Sequence, residues 1–170
     1  SRPVRVMIYV GSKIYINEYS NRDFVVNYRV EGFHANKIVT EDIAGEIRKN
    51  RLNVTKVYAR GEREVLGQAL AEIRPLPGIT ITSSGSDNFE ILPAGADKGR
   101  ALTRLGEMLG VTPAEMVAIG DSDNDAEMLR AVGMPVAMGN ADAALKDLAK
   151  YITADCDHDG VAQAAYHLFQ

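Results

Sequence analysis

The chain has 170 residues, 46% of them hydrophobic, which is enough to bury one core or two small ones. Its 19 Lys and Arg against 23 Asp and Glu leave a net charge of −4 with no basic cluster, which argues against nucleic acid as a partner. The lone cysteine, Cys156, cannot form an internal disulfide and fits a reducing cytoplasm, and no apolar stretch is long enough for a membrane span or the apolar segment of a signal sequence.

The first segment enters an alternating apolar strand almost at once, so the chain is expected to begin mid-fold. Val4 to Val10, a Gly11-Ser12 turn and Lys13 to Tyr19 read as a β-hairpin. Val54 to Ala59 reads as a strand, and Glu62 to Ile73 as a helix ended by Pro75. Ile79 to Ser83 and Phe89 to Leu92 read as a second hairpin around Gly85-Ser86-Asp87. This half is expected to form an antiparallel sheet with helices on one face.

After Pro93 the rhythm becomes helix, strand, helix, strand, helix. The elements are Gly99 to Leu109, Met116 to Ile119, Ala126 to Ala131, Pro135 to Met138 and Asp142 to Lys150, then a short Tyr151-Ile152-Thr153 and a last helix from Gly160. Short all-apolar strands alternating with helices predict an α/β, doubly wound parallel sheet covered on both faces. In the first of these helices Ala101, Leu102, Leu105, Met108 and Leu109 recur at helical spacing, with Gly110 as a C-terminal stop. The boundary falls near Leu92 and Pro93, giving domains 1–92 and 93–170.

The stretch AIGDSDNDAEML, residues 118–129, crowds three aspartates and an asparagine against the end of a buried strand. Carboxylates that close repel one another and lose hydration, so such a site usually needs a cation. In an open α/β sheet ligands bind beyond the carboxyl ends of the strands, where Asp121 to Asp125 must lie. An EF-hand would need Gly and Glu where this chain has Ala126 and Val132. A helix N-terminus decorated with acids explains one aspartate, but not three with an asparagine. A Mg2+ site suits hard oxygen ligands completed by water and a substrate phosphate. A cation for that phosphate stands in ADKGRAL, residues 96–102, where Lys98 precedes a helix whose first N–H groups are free. The spacing around Lys98 is not that of a Walker loop, and a lone lysine there is as often simply solvated.

With FEILPAGADKGRAL, AIGDSDNDAEML, PVAMGNADAALKDLA and the YIT and HDGVA segments in that order, the chain resembles the haloacid dehalogenase superfamily, and within it the Cof-type (subfamily IIB) sugar-phosphate phosphatases. The match covers most of positions 83–165. The resemblance implies a Rossmann-like core with an α+β cap of the C2 type over the active site, the cap being the more divergent first half. It also implies a Mg2+-dependent phosphomonoester hydrolase acting on small phosphorylated metabolites such as sugar phosphates. Lys98 would neutralise the phosphoryl group, Asp121 would ligate Mg2+ and Asn124 would bind phosphate. Asp125, the second metal candidate, would act from behind, orienting Lys98 or a metal-bound water. Asn140 is a candidate near the phosphate, with a turn-forming role equally open. His34, His158 and His167 are expected at surfaces or interfaces.

The family's nucleophile lies in a D-x-D-G-T motif near the N-terminus, followed by a Ser/Thr phosphate-binding motif, and neither occurs in this sequence. Before residue 97 the aspartates are Asp23, Asp42 and Asp87, none of them followed by Gly-Thr. The attacking aspartate is therefore expected on a missing N-terminal segment or a partner chain, paired along the exposed edge of the Met116 to Ile119 strand, and the 170 residues alone are expected to be inactive and prone to self-association. Two rivals stand beside the hydrolase: a non-catalytic Mg2+ and phosphate-binding relic, and a receiver-like signalling domain, the latter disfavoured because it needs no cap. Residues 28–39, YRVEGFHANKIV, form a candidate specificity loop.

Overall fold

The computed structural model describes residues 4–27 and 31–169. The chain divides between Ala94 and Gly95 into two compact units. The first carries a six-stranded sheet in the order β3-β2-β1-β4-β6-β5. Its strands are β1 (Arg5–Val10), β2 (Lys13–Ile16), β3 (Lys37–Val39), β4 (Lys56–Arg60), β5 (Ile79–Thr82) and β6 (Asn88–Pro93), and its helices α1 (Glu18–Asn27), α2 (Glu31–Asn36), α3 (Ile43–Asn50) and α4 (Arg63–Ile73).

Both expected hairpins form, with Val10 opposite Lys13 and Ile81 opposite Ile91. Three details differ from the sequence expectation. The second arm stops at Ile16, because the Asn17 side chain accepts a hydrogen bond from the Ser20 N–H at 2.8 Å and caps α1. The sheet is mixed, because β3 joins β2 in parallel. The helices also pack on both faces rather than one. Phe24 of α1 sits against Met7, Ile16 and Tyr58, whereas Leu66 of α4 sits against Ala59 and Phe89. Tyr58 and Ala59 are consecutive in β4, so they point to opposite sides of the pleat. Of the candidate specificity loop, residues 28–30 lie outside the described residues, and the remainder forms α2 and β3.

The second unit keeps the expected order through α5 (Lys98–Leu109), β7 (Val117–Gly120), α6 (Ala126–Arg130), β8 (Met134–Ala137), α7 (Ala143–Lys146), β9 (Tyr151–Ile152) and α8 (Gly160–Phe169). The helix expected from Asp142 to Lys150 is, however, a single turn that Asp142 caps and that ends at Lys146. Its three strands are parallel in the order β7-β8-β9, with Ile119 opposite Val136 and Ala137 opposite Ile152. Ala118, Leu129, Ala137, Ala141 and Leu145 form the core, and Leu102 packs against it.

The rest of the apolar stripe on α5 does not follow Leu102 inward. Leu105, Met108 and Leu109 are 49%, 71% and 68% exposed, whereas Gly99 and Gly106 are buried. The helix rides on its glycine face, which brings its axis close to the neighbouring elements and turns the stripe aside. Strand β7 ends the three-stranded sheet, so one of its edges is unpaired among the described residues. No described helix is long and apolar enough to cross a membrane.

Candidate functional site

The second unit gathers its polar side chains where β7 and β8 end. Strand β7 delivers the chain at Gly120 into a tight turn, Asp123–Asp125 forming a single 3-10 turn that runs into α6. Asp125 points back under that turn and is 5% exposed. Its Oδ2 accepts the backbone N–H of Asp121 at 3.1 Å and of Ser122 at 3.2 Å, and its Oδ1 lies 2.5 Å from Lys98 Nζ. Both oxygens are therefore engaged. A buried carboxylate is tolerable only with such partners, and here they come from the loop itself and from α5.

Lys98 reaches Asp125 because α5 starts unusually close to α6. A β-carbon on Gly99 would stand 2.3 Å from the Glu127 carbonyl oxygen, so only glycine permits this approach. Asp97 caps the helix, accepting the Arg100 N–H at 2.8 Å. The Lys98 side chain is 51% exposed, against 8% for Asp125. The ammonium has three donors, so it can hold Asp125 and still direct N–H groups outward.

Asp121 is exposed, and both of its oxygens are oriented. Ser122 Oγ donates to Oδ1 at 3.1 Å, and Asn140 Nδ2 donates to Oδ2 at 3.1 Å. Asn140 comes from the turn after β8, which is tied to β7 by the Met138 N–H donating to the Gly120 carbonyl at 2.9 Å. Asn124 is half-buried in the same loop, and Asp123 is exposed. The structure thus brings Lys98, Asp121, Asn124, Asp125 and Asn140 onto one end of one sheet.

Of the two metal candidates, Asp121 is the carboxylate open to solvent, and Asp125 is committed to Lys98 and the backbone. Mg2+ takes one or two carboxylates and completes its shell with water and phosphate oxygens, so a single oriented carboxylate fits it. Among the described residues no group of three or more His, Cys, Asp or Glu is arranged to hold a metal ion. An EF-hand does not fit this loop, because Ala126 and Val132 stand where it needs Gly and Glu, and both Asp125 oxygens already hold partners within the protein.

Sequence reasoning passed over Gly120, Ser122 and Lys146. Ser122 aims Asp121, and Lys146 Nζ donates to the Gly139 carbonyl at 2.7 Å, bracing the turn that carries Asn140. A Ser between two candidate aspartates was the signal available for the first. Nothing local marks Lys146, because its partner lies across a turn. Of the histidines, His158 is surface-exposed and pairs with Asp155 at 2.6 Å between Nδ1 and Oδ1, and that hydrogen bond holds the Asp155 carboxyl below the usual carboxylate range.

The profile of the haloacid dehalogenase-like hydrolases matches residues 1–164. The chain belongs to that family. Within the family it is of the Cof type. This haloacid dehalogenase-like chain is 39% identical over 104 residues to the 5-amino-6-(5-phospho-D-ribitylamino)uracil phosphatase YcsE of Bacillus subtilis, which covers 61% of the chain and 42% of that protein. It is 30% identical over 156 residues to a phosphoglycolate phosphatase of Archaeoglobus fulgidus, covering 89% of the chain and 66% of the relative. The solved structure of a haloacid dehalogenase-like hydrolase from B. subtilis superposes with a TM-score of 0.82 at 26% identity, over 97% of this chain and 65% of that one. The match spans less than two thirds of each of these three proteins.

Proposed function

We propose that this chain supplies the Mg2+ and phosphate-binding side of a phosphatase that hydrolyses monoesters of small phosphorylated metabolites such as sugar phosphates. The observation that carries the proposal is the Lys98–Asp125 pair at 2.5 Å, set behind an exposed and doubly oriented Asp121. An ammonium anchored by a buried carboxylate is preorganised to face phosphoryl oxygens. Lys98 then offsets their charge, Asn124 donates to one of them, and Asp121 holds the metal. Bound Mg2+ supplies further charge neutralisation at the transferring phosphoryl group. Phosphatase names among the relatives support the reaction class.

In this proposal the phosphoryl group passes from the ester oxygen to an aspartate as the P–O ester bond breaks and the protonated alcohol leaves. It then passes from the aspartate to water, which releases inorganic phosphate and restores the carboxylate. D-x-D-G-T does not occur in the 170 residues. The attacking carboxylate accordingly comes from a strand that pairs with the open edge of β7. The deciding experiment is an activity screen against a panel of phosphorylated metabolites with Mg2+, run on the chain alone and with a peptide carrying that strand and motif. Hydrolysis that requires both peptide and Mg2+ supports the proposal. Mg2+ and phosphate binding without turnover under any condition would instead favour a non-catalytic relic, a reading suggested by the absence of D-x-D-G-T from the 170 residues.

A further inference from the structure

We propose that Asn140 is a positioning residue for the metal-binding carboxylate of Asp121 rather than a contact to phosphate. The inference rests on the reading of Asp121 as the Mg2+ ligand. Its starting point is the orientation of the Asn140 amide. The Cys156 N–H can only donate, and it lies 3.1 Å from Asn140 Oδ1, so that atom must be the amide oxygen. The Nδ2 group is thereby turned toward Asp121, to whose Oδ2 it donates at 3.1 Å. With Ser122 Oγ on Oδ1, the carboxylate plane is fixed from both ends. Each oxygen keeps a lone pair for a cation.

The platform beneath Asn140 is rigid. The Gly139 N–H donates to the Ala154 carbonyl at 3.1 Å, the Ala141 N–H to the Met138 carbonyl at 3.0 Å, and Lys146 Nζ to the Gly139 carbonyl at 2.7 Å. Across from it, Thr153 is buried and its hydroxyl donates to the Gly160 carbonyl at 2.6 Å. Asn140 therefore links two braced turns, after β8 and after β9, to the ligand on the β7 turn. Groups that orient a metal-binding carboxylate commonly govern affinity tenfold or more without touching the ion.

The test uses the full chain and Mn2+ as a paramagnetic stand-in for Mg2+, titrated by electron paramagnetic resonance alongside metal-free thermal melts. Asn140→Ala should weaken Mn2+ binding about tenfold with the metal-free melting temperature nearly unchanged. Asn140→Ser suits the turn but is too short to span both partners, and should behave alike. In an Asp121→Ala background, Asn140→Ala should cost no further affinity, because the two act as one unit. Unchanged Mn2+ affinity in Asn140→Ala, with affinity lost in Asp121→Ala, would overturn the inference and leave the metal site standing. Additive losses in the two backgrounds would also overturn it, by reducing Asn140 to a structural brace. Full Mn2+ affinity in Asp121→Ala would remove the metal reading itself, and the inference with it.

Discussion

Gly120 and Asp125 approach so closely that a β-carbon on Gly120 would lie 2.5 Å from the Asp125 Cβ. The carboxylate that anchors Lys98 fits under its loop only because the last residue of β7 has no side chain. Gly120→Ala should displace Asp125, stretch its bonds to the Asp121 and Ser122 N–H groups, and destabilise the second unit by about 1–3 kcal/mol, as overpacking of a tight site does. Chemical denaturation checks the stability, and a crystal structure of the variant checks the displacement. An unshifted unfolding midpoint would mean the loop yields without strain.

Asp121 and Asp123 differ in what surrounds them, and their substitutions should differ accordingly. If Asp121 holds the metal as proposed, Mg2+ should raise the melting temperature, Asp121→Ala should abolish that rise, and Asp123→Ala, on the exposed side of the turn, should leave it nearly intact. Equal losses in paired melts with and without Mg2+ would point to a diffuse acidic patch.

Lys98→Ala should lose vanadate and phosphate affinity, read by calorimetry. Its effect on folding should be moderate, about 1–3 kcal/mol, because the lysine is half exposed but the Asp125 carboxylate it leaves behind is buried and loses its cation. Two backbone N–H groups still hold Asp125. Retained oxyanion affinity would return Lys98 to an ordinary solvated lysine.

In the first unit Arg60 Nε lies 2.8 Å from Asp87 Oδ2. Burial pushes the Asp87 carboxyl up, but hydrogen bonds from Asn88 and Arg60 and the charge of Arg60 outweigh it and hold the group below the usual carboxylate range. A depressed folded value contributes stability that is fully present above the unfolded value of about 3.9 and is lost as the pH falls through the folded one. Asp87→Asn should therefore flatten the acid limb of the stability profile below about pH 4 and change little at neutrality. Both side chains are substantially exposed, at 36% and 50%, so the contribution is under about 1 kcal/mol. An acid limb identical in the variant would rule the pair out as its source.

The open β7 edge and the exposed α5 stripe should make the chain alone associate as its concentration rises, since unpaired strand edges beside apolar surface invite pairing. Leu105→Lys with Met108→Lys should suppress that association in light scattering without unfolding the unit, because both positions are already solvent-facing. A monodisperse monomer that hydrolyses phosphomonoesters unaided would refute both the edge pairing and the external nucleophile.

The sequence by itself determined the elements of the second unit, because short apolar strands and the residues that start and stop helices leave local signatures. It also singled out Lys98 and the acidic turn, since three aspartates and an asparagine in five positions are more than a helix start requires. Periodicity records that a face is apolar but not what covers it, so Leu105, Met108 and Leu109 read as core and stand exposed. Alternation likewise gives each strand two faces without saying which receives a helix, and only packing put α1 and α4 on opposite sides. The division of labour among the carboxylates was also tertiary. The resemblance assigned Asp121 to the metal and Asp125 to the position behind it, but local pattern alone treats the two alike. What separates them physically is the approach of α5 over Gly99 on one side and of the Asn140 turn on the other. Those are contacts across 27 and 19 residues, beyond the reach of any local pattern.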